Sequence, residues 1–134
     1  MRIVIDTNVI ASAVFFGGRP RELLEKMMLH DFDVYVSREI LEEYQNTIAY
    51  LCDKYPSKKV SIPLTQIAAA CNLIEPKSRI NICRDPDDNK FIECAVDSKS
   101  LYIVSGDNDL LSIENYQNVE IITVAEFFRR ICKK

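Results

Sequence analysis

The chain has 134 residues, a length that suits one domain around a single hydrophobic core. Hydrophobic residues make up 48% of the sequence and charged residues 28%, a balance typical of a folded globular protein rather than of a disordered chain. No apolar run approaches the roughly 20 residues of a membrane span, and the early acid at Asp6 argues against a signal peptide.

The net charge is −3, from 17 Lys and Arg against 20 Asp and Glu. A negative chain usually lacks the basic surface that binds nucleic acid. If several carboxylates share one metal site, however, the rest of the surface is about neutral. The net charge therefore does not decide which partner the protein binds.

Five cysteines are widely spaced and form no C-x-x-C motif, which argues against a disulfide framework and against a zinc site. We expect them to be small buried apolar residues of a protein in the reducing cytoplasm. They are Cys52, Cys71, Cys83, Cys94 and Cys132. Since His30 is the only histidine, mechanisms that need a pair of histidines are excluded.

The first predicted element is a strand over 2–5, an apolar run that ends at Asp6 and is typical of a strand buried on both faces. An apolar helix over 8–16 follows, and Gly17 and Gly18 end it. We expect the run 14–16 to pack in the core rather than to bind a partner.

A second helix is predicted over 21–30, with Pro20 suited to the first helical position. A strand over 33–36 comes next, and Ser37 can cap the helix after it, whose apolar residues recur at helical spacing as far as Leu51.

The middle of the chain is less regular. Residues 53–63 are polar and form either a loop or part of a helical insertion over about 53–73. Residues 64–73 have a helical pattern, and 72–75 can form a short third strand.

In the last third of the chain, predicted helices and strands alternate again. Asp85 and Pro86 predict the start of a helix, strands are predicted over 101–104 and 119–122, and Thr123 can cap a final helix over 125–132. Alternating strands and helices predict an α/β fold with a mostly parallel sheet. Such folds bind ligands beyond the carboxyl ends of their strands.

Acidic residues recur at those carboxyl ends. Taken alone, acids in a first helical turn are explained by the helix dipole, which favours each by about 0.3 to 1 kcal/mol. The acids are Asp6, Glu42, Glu43, Asp85, Asp87, Asp88, Asp107 and Asp109.

Asp6 is different because it ends an apolar strand beside an apolar helix, and no basic residue follows until Arg19. An unpaired buried charge is very costly. A divalent cation with oxygen ligands, such as Mg²⁺, would compensate it and would relieve the repulsion among neighbouring acids.

Four segments together resemble the PIN domain family. They lie in the family's order over nearly the whole chain. They are 3–8 (IVIDTN), 37–44, which ends in EEY, 85–95, which begins DPDDNKF, and 105–111 (SGDNDLL). More narrowly, the chain resembles the VapC-like toxins of type II toxin–antitoxin systems.

The resemblance implies a single PIN domain over 1–134. It implies a three-layer α/β/α sandwich with a mostly parallel five-stranded sheet in the order 3-2-1-4-5.

The resemblance also implies a Mg²⁺- or Mn²⁺-dependent ribonuclease. Its catalytic acids would be Asp6, Glu43, Asp88 and Asp107. Its metal ligands would be Asp6, Asp88 and Asp107, with Asp85 and Asp109 as further acids, while Asn8 and Ser105 would line the site.

Two of these assignments need a choice between neighbours. Helical spacing does not separate Glu42 from Glu43, and the resemblance favours Glu43 because the family's acid directly precedes an apolar or aromatic residue. Asp88 has support from spacing, since it precedes Phe91 by three residues and so shares the inward face of its helix.

Basic residues that could hold RNA phosphates are scattered along the chain. We favour Arg84 and Lys90 because they flank the acidic cluster. The other candidates are Arg19, Arg21, Arg38, Lys58 and Lys59.

The predicted activity is hydrolysis of RNA phosphodiesters by metal-activated water. A toxin role would add a protein antitoxin and a homodimer as partners. The alternatives are a catalytically inactive RNA-binding or protein-interaction module and a nuclease of RNA processing. A haloacid-dehalogenase-like phosphatase would need an acid where Asn8 stands, and a Rossmann nucleotide-binding module would need a glycine-rich turn after the first strand.

Overall fold

Strand β1 (Arg2–Ile5) lies in the middle of the sheet in the computed structural model, which describes residues 1–131. It pairs in parallel with β2 (Asp33–Val36) on one side and with β4 (Tyr102–Val104) on the other. The side chains at 3–5 are completely buried, as expected for a strand covered on both faces.

The sheet continues through β3 (Asn72–Leu73) beyond β2 and through β6 (Val119–Ile122) beyond β4. A further strand, β5 (Asn115–Tyr116), pairs with β6 and gives the order β3-β2-β1-β4-β6-β5. The predicted α/β fold with a mostly parallel sheet is confirmed. The predicted number of five strands is wrong, because the sheet has six, with the antiparallel β5 added at its edge.

Strand β5 exists because a tight turn folds it back onto β6. Gln117 and Asn118 form this turn with positive φ angles of 45° and 68°. Two left-handed residues in a two-residue loop match the twist of a β-hairpin. The turn escaped the sequence analysis because glutamine is not a usual residue at such a position.

Helices α1 (Thr7–Phe15) and α2 (Gly18–Met28) connect β1 to β2. Gly17 and Gly18 separate the two helices with φ angles of 83° and 70°, a backbone conformation that residues with a side chain rarely adopt. The prediction that Pro20 stands at the first helical position is wrong, because Gly18 already begins the helix.

Helix α3 (Arg38–Lys54) starts at the predicted cap, where the Ser37 hydroxyl accepts a hydrogen bond from the N–H of Ile40. A short helix α4 (Leu64–Ala70) ends before β3 begins, so the predicted helical pattern stops three residues earlier than expected.

Helix α5 (Asn89–Asp97) follows a single 3₁₀ turn (Pro86–Asp88), and it is this turn that Asp85 caps. Helix α6 (Asn108–Leu111) follows β4, and α7 (Val124–Ile131) follows β6. Cys132, the predicted end of the last helix, lies outside the described residues.

The helices flank the sheet in two groups. Helix α1 packs on α2 and α3, and α2 packs on α7, whereas α5 packs on β1, β2 and β4. The chain moves outward from β1 to β3 and then returns to β4 on the other side of β1, so right-handed connections place α5 on the face opposite α1 to α4. Among the described residues, no helix is both long enough and apolar enough to cross a membrane.

The cysteines within the described residues are free thiols, and Cys94 is completely buried. Burial raises the pKa of Cys71 and of Cys94 to about 12, so both stay protonated and apolar. The expectation of buried apolar cysteines is confirmed for Cys94, whereas Cys52, Cys71 and Cys83 are only partly buried.

Tyr44 joins α3 to the end of β1. Its side chain is completely buried, and its hydroxyl donates a hydrogen bond to the backbone carbonyl of Ile5. This bond fixes the helix that carries Glu43 against the strand that leads into Asp6.

We expect Tyr44→Phe to lower the free energy of unfolding by about 1 to 3 kcal/mol, because it leaves a buried carbonyl without this donor. Urea unfolding followed by circular dichroism measures the change. Tyr50→Phe is the control, since Tyr50 is 62% exposed and should lose almost nothing. Equal losses in the two variants would contradict the role given to the Tyr44 hydroxyl.

Candidate functional site

Asp6 ends β1 and is almost completely enclosed, with 5% of its surface exposed. Its N–H donates to the carbonyl of Val104 at 2.9 Å, and its Oδ2 accepts a hydrogen bond from Ser105 Oγ at 2.7 Å. Burial raises the pKa of Asp6, the hydrogen bond from Ser105 opposes the rise, and the charges of Asp107 and Glu43 add to it. The predicted buried acid is therefore in place, and its nearest partner is a hydroxyl group.

Ser105 connects the two central strands at their carboxyl ends. It is completely buried, and its Oγ also accepts a hydrogen bond from the N–H of Asp107 at 2.9 Å. The Oδ1 of Asp107 in turn accepts from the N–H of Asp109 at 3.1 Å and caps α6. One serine hydroxyl thus sets the positions of both Asp6 and Asp107.

Asp88 lies at the end of the 3₁₀ turn and faces Asp107. Its pKa is raised from 3.8 to about 7, first by burial, then by a hydrogen bond with Asp107 and by the charges of Asp107 and Asp6. A like charge nearby and a hydrogen bond to the neutral form both favour the protonated state of Asp88. The structure therefore brings Asp6, Asp88 and Asp107 into one interacting group.

Glu43 reaches the same group from α3. Thr7 Oγ1 donates a hydrogen bond to Glu43 Oε2, and Lys90 Nζ lies 2.6 Å from Glu43 Oε1. Glu42 is exposed on the helix. The choice of Glu43 over Glu42 agrees with these positions, and its catalytic role stays a prediction.

Lys90 has a different environment from the one expected of a phosphate ligand. Its side chain is only 12% exposed, and its Nζ contacts both Glu43 and the carbonyl of Asp87, the latter at 2.6 Å. Since Lys90 is on α5 and Glu43 on α3, this ion pair joins helices from the two faces of the sheet at its carboxyl edge.

Three of the predicted site residues lie at the margin of the acidic cluster. Asn8 is exposed in the first turn of α1, close to Asp6 in the chain. The Arg84 side chain is 87% exposed, and its Nη1 lies 3.9 Å from Asp109 Oδ1. Asp85 is exposed and its Oδ1 accepts from the N–H of residue 87 at 3.0 Å, so its observed part is to cap the turn. Substrate and metal roles for these residues stay predictions.

Three residues that support the site were not assigned a part by the sequence analysis. Thr7 binds Glu43, Tyr44 anchors α3, and Asn89 Oδ1 accepts from the two N–H groups of residues 82 and 83 at 3.2 and 2.9 Å. All three residues lie within the motifs quoted above. Thr7 offered a signal, as a polar side chain in a mainly apolar segment, whereas Tyr44 and Asn89 directly follow acidic residues and offered none.

The donor set of this cluster suits a hard divalent cation. The groups are carboxylates and hydroxyls, which Mg²⁺ and Mn²⁺ prefer. Within residues 1–131, however, no three Asp, Glu, His or Cys side chains form a ready-made ligand group. The charges of Asp6, Asp88 and Asp107 nevertheless act on one another, so the chemistry of these residues fits a hard cation.

An α/β fold with carboxylates gathered where two neighbouring parallel strands end defines a class of proteins whose ligands bind at that edge. Residues 2–109 match the family model described as PIN domain, and the chain belongs to the PIN domain family. PIN domains are generally nucleases and generally bind divalent metals, so the fold is of the nuclease type.

A curated relative is the uncharacterized protein MJ1680 of Methanocaldococcus jannaschii. It is 36% identical over 123 residues, which cover 86% of this chain and 76% of that protein. No solved structure matches the chain significantly.

The raised pKa of Asp88 has a consequence for stability. The folded chain keeps a proton on Asp88 up to about pH 7, whereas the unfolded chain loses it near pH 4. The folded state therefore binds more protons between these values, and the free energy of unfolding falls as the pH rises from about 4 to about 7.

We expect Asp88→Asn to remove this fall in the free energy of unfolding with rising pH. In EDTA at pH 8 the variant should melt about 1 to 4 °C above the natural chain, and at pH 4 the two should melt together. Melting curves at several pH values measure the difference. Asp87→Asn, an exposed neighbour, is the control and should show no gain that grows with pH.

Proposed function

We propose that the protein is a Mg²⁺- or Mn²⁺-dependent endoribonuclease that hydrolyses RNA phosphodiesters with metal-activated water. The observation that carries the proposal is the single hydroxyl of Ser105, which holds the buried Asp6 and the backbone of Asp107 beside Asp88. Membership of the PIN domain family supports the nuclease class.

Asp6, Asp88 and Asp107 would hold the cation. When bound, it supplies an activated water and neutralises charge on the scissile phosphate. Asp6 is fixed by Ser105 before any ligand arrives, which reduces the reorganisation needed on binding. Asp109, whose N–H already binds Asp107, and Asp85 would add negative potential at the rim.

Glu43 would orient the attacking water or a water at the cation. Thr7 and Lys90 occupy one oxygen each and so fix the carboxylate plane. The ammonium group of Lys90 is 2.6 Å from Glu43 Oε1 and ties this carboxylate to helix α5. We therefore assign Lys90 the positioning of Glu43 in addition to any contact with RNA.

The reaction would leave 5′-phosphate and 3′-hydroxyl ends. Attack by the RNA's own 2′-hydroxyl with two histidines is excluded by the single histidine, His30, which is exposed after α2. Products that carry 2′,3′-cyclic phosphates would contradict the proposal.

We expect Asp6→Asn to lower cleavage of a labelled single-stranded RNA at least about hundredfold, because it weakens the central cation ligand. The natural chain should need Mg²⁺ or Mn²⁺ and should be inactive in EDTA. Gel analysis of cleavage rates and of product ends measures both effects.

Asp33→Asn is the matched control, since Asp33 is an exposed acid at the opposite end of β2 and should leave the rate unchanged. Equal cleavage by Asp6→Asn and the natural chain would show that a contaminant cuts the RNA. RNA binding without cleavage by a folded, metal-loaded protein would favour the alternative of an inactive PIN-fold binding module.

We propose further that this nuclease is the toxin of a toxin–antitoxin pair, with a small protein antitoxin and a homodimer as its assemblies. The motif order described in the sequence supports this finer assignment. Growth arrest on expression of the natural chain, abolished by Asp6→Asn, would support a toxin. Growth unaffected by an RNA-cleaving chain would favour a nuclease of RNA processing.

Arg84 supports a contact with the RNA backbone, because its exposed guanidinium is only loosely paired with Asp109 beside the acids. We expect Arg84→Gln to reduce the slope of log affinity against log salt concentration by about 0.7 for single-stranded RNA. Fluorescence anisotropy with a labelled oligonucleotide measures the slope. Lys99→Gln, an exposed charge after α5, is the control. An unchanged slope for Arg84→Gln would remove this contact.

A further inference from the structure

A group of aromatic and basic side chains lies on the surface where α1 and α3 end. Phe16 is 55% exposed although Val14 and Phe15 before it are buried, so the expected core packing of this run is wrong for Phe16 alone. Tyr50, on α3, is 62% exposed. We call Phe16, Tyr50, Lys54, Tyr55 and Lys58 the aromatic patch.

The side chains of the aromatic patch contact one another. The rings of Phe16 and Tyr55 meet edge to face with centroids 6.1 Å apart. Lys58 Nζ lies 5.0 Å from the Phe16 ring, and Lys54 Nζ lies 5.5 Å from the Tyr55 ring and 5.9 Å from that of Tyr50. Exposed rings interleaved with lysines are the components that single-stranded nucleic acids bind, through base stacking and phosphate attraction.

The charge around the aromatic patch is opposite to that of the whole chain. Segments 13–22 and 50–62 together carry five Lys or Arg and two Asp or Glu, although the net charge of the protein is −3. This region is therefore complementary to a polyanion, unlike the acidic site itself.

Helix α1 leads from the acids to the aromatic patch. Seven of its nine residues are buried, and the two that are not are Asn8 and Ser12. Together with Phe16 they follow a spacing of four residues, so they lie along one side of the helix. This exposed line carries no charge and runs from the turn after Asp6 to the patch.

Helix α3 leads along a neighbouring line. Glu43, Thr47, Leu51 and Tyr55 are partly exposed and also recur every four residues. The two helices pack on each other, with the Thr7 to Glu43 hydrogen bond near one end and the ring contact of the patch at the other. The two lines are therefore adjacent along their whole length.

The length of this path suits a short RNA segment. Ten residues separate Asp6 from Phe16, which corresponds to about 15 Å along a helix. At a stacked spacing of about 3.4 Å, this distance holds four to five nucleotides. Two clefts lined in part by α3 and by residues 73–93 show no excess of positive charge, because Arg38, Arg79 and Lys90 are balanced there by Glu39, Glu75, Asp87 and Glu93.

We propose that the aromatic patch is a second binding site for single-stranded RNA, on which bases stack four to five nucleotides away from the scissile bond. This inference rests on the proposed ribonuclease function for the identity of the ligand. The uncharged line along α1, beside the line along α3, would guide the strand from the acids to the patch.

The test is the affinity for a fluorescein-labelled 12-nucleotide oligouridylate, measured by anisotropy with Mg²⁺ in the Asp6→Asn background so that the strand stays intact. We expect Phe16→Ala and Tyr55→Ala each to weaken binding about five- to hundredfold. Tyr55→Phe should retain it, because the ring is kept. We expect Lys58→Gln to reduce the salt slope by about 0.7.

Matched controls use similar exposed residues elsewhere. Leu101→Ala is the apolar control, because Leu101 is 52% exposed, and Lys99→Gln is the charge control. A photoreactive 4-thiouridine strand should crosslink to the peptide that contains Tyr55. Thermal melting verifies that each variant is folded.

The outcomes separate this proposal from the nuclease function. Patch-dependent binding without cleavage by the natural chain would keep the patch and overturn the nuclease. Metal-dependent cleavage with equal affinity in all folded variants would overturn the patch alone. A lower molar mass of Phe16→Ala in light scattering, with unchanged RNA affinity, would make the patch a contact between copies of the chain and would also overturn the proposal. A natural chain that neither binds nor cleaves RNA would overturn both.

Discussion

The enclosed carboxyl group of Asp6 is the constraint on which the rest of the site depends. A charge at the end of a central strand is costly, and the fold compensates it with the hydroxyl of Ser105 from the neighbouring strand. The same hydroxyl holds the backbone of Asp107, so the two strands present their acids in a fixed relation. Burial first, and the charges of the neighbouring acids after it, raise the pKa of Asp6 and of Asp88.

The site also depends on where the chain reverses its direction across the sheet. Strands β1 and β4 are neighbours, but helices α3 and α5 lie on opposite faces of the sheet, so these two helices meet at its carboxyl edge. The ion pair between Lys90 and Glu43 is that meeting point. The contact between the two helix layers is thereby part of the proposed catalytic arrangement. The same ion pair joins α3 to α5 and orients Glu43.

Much of this could be predicted because it depends on local pattern. Apolar runs specified the central strands, and the acids after them specified the edge at which a ligand binds. The partners of these acids could not be predicted, because Thr7 and Glu43 are 36 positions apart and their contact depends on the rotation of α3. Helical spacing did not separate Glu42 from Glu43 for the same reason. Strand β5 was missed because two residues give no periodicity.

The strand order has a consequence for where this protein can be cut. The family match ends at residue 109, yet β6 covers the open side of β4, and its Ile122 carbonyl accepts the N–H of Ser105 at 2.9 Å. A chain shortened to the matched region would lose this support for Ser105 and would expose the unpaired backbone of β4. Such an edge pairs readily with other strands, so the shortened protein would aggregate before its chemistry could be assayed.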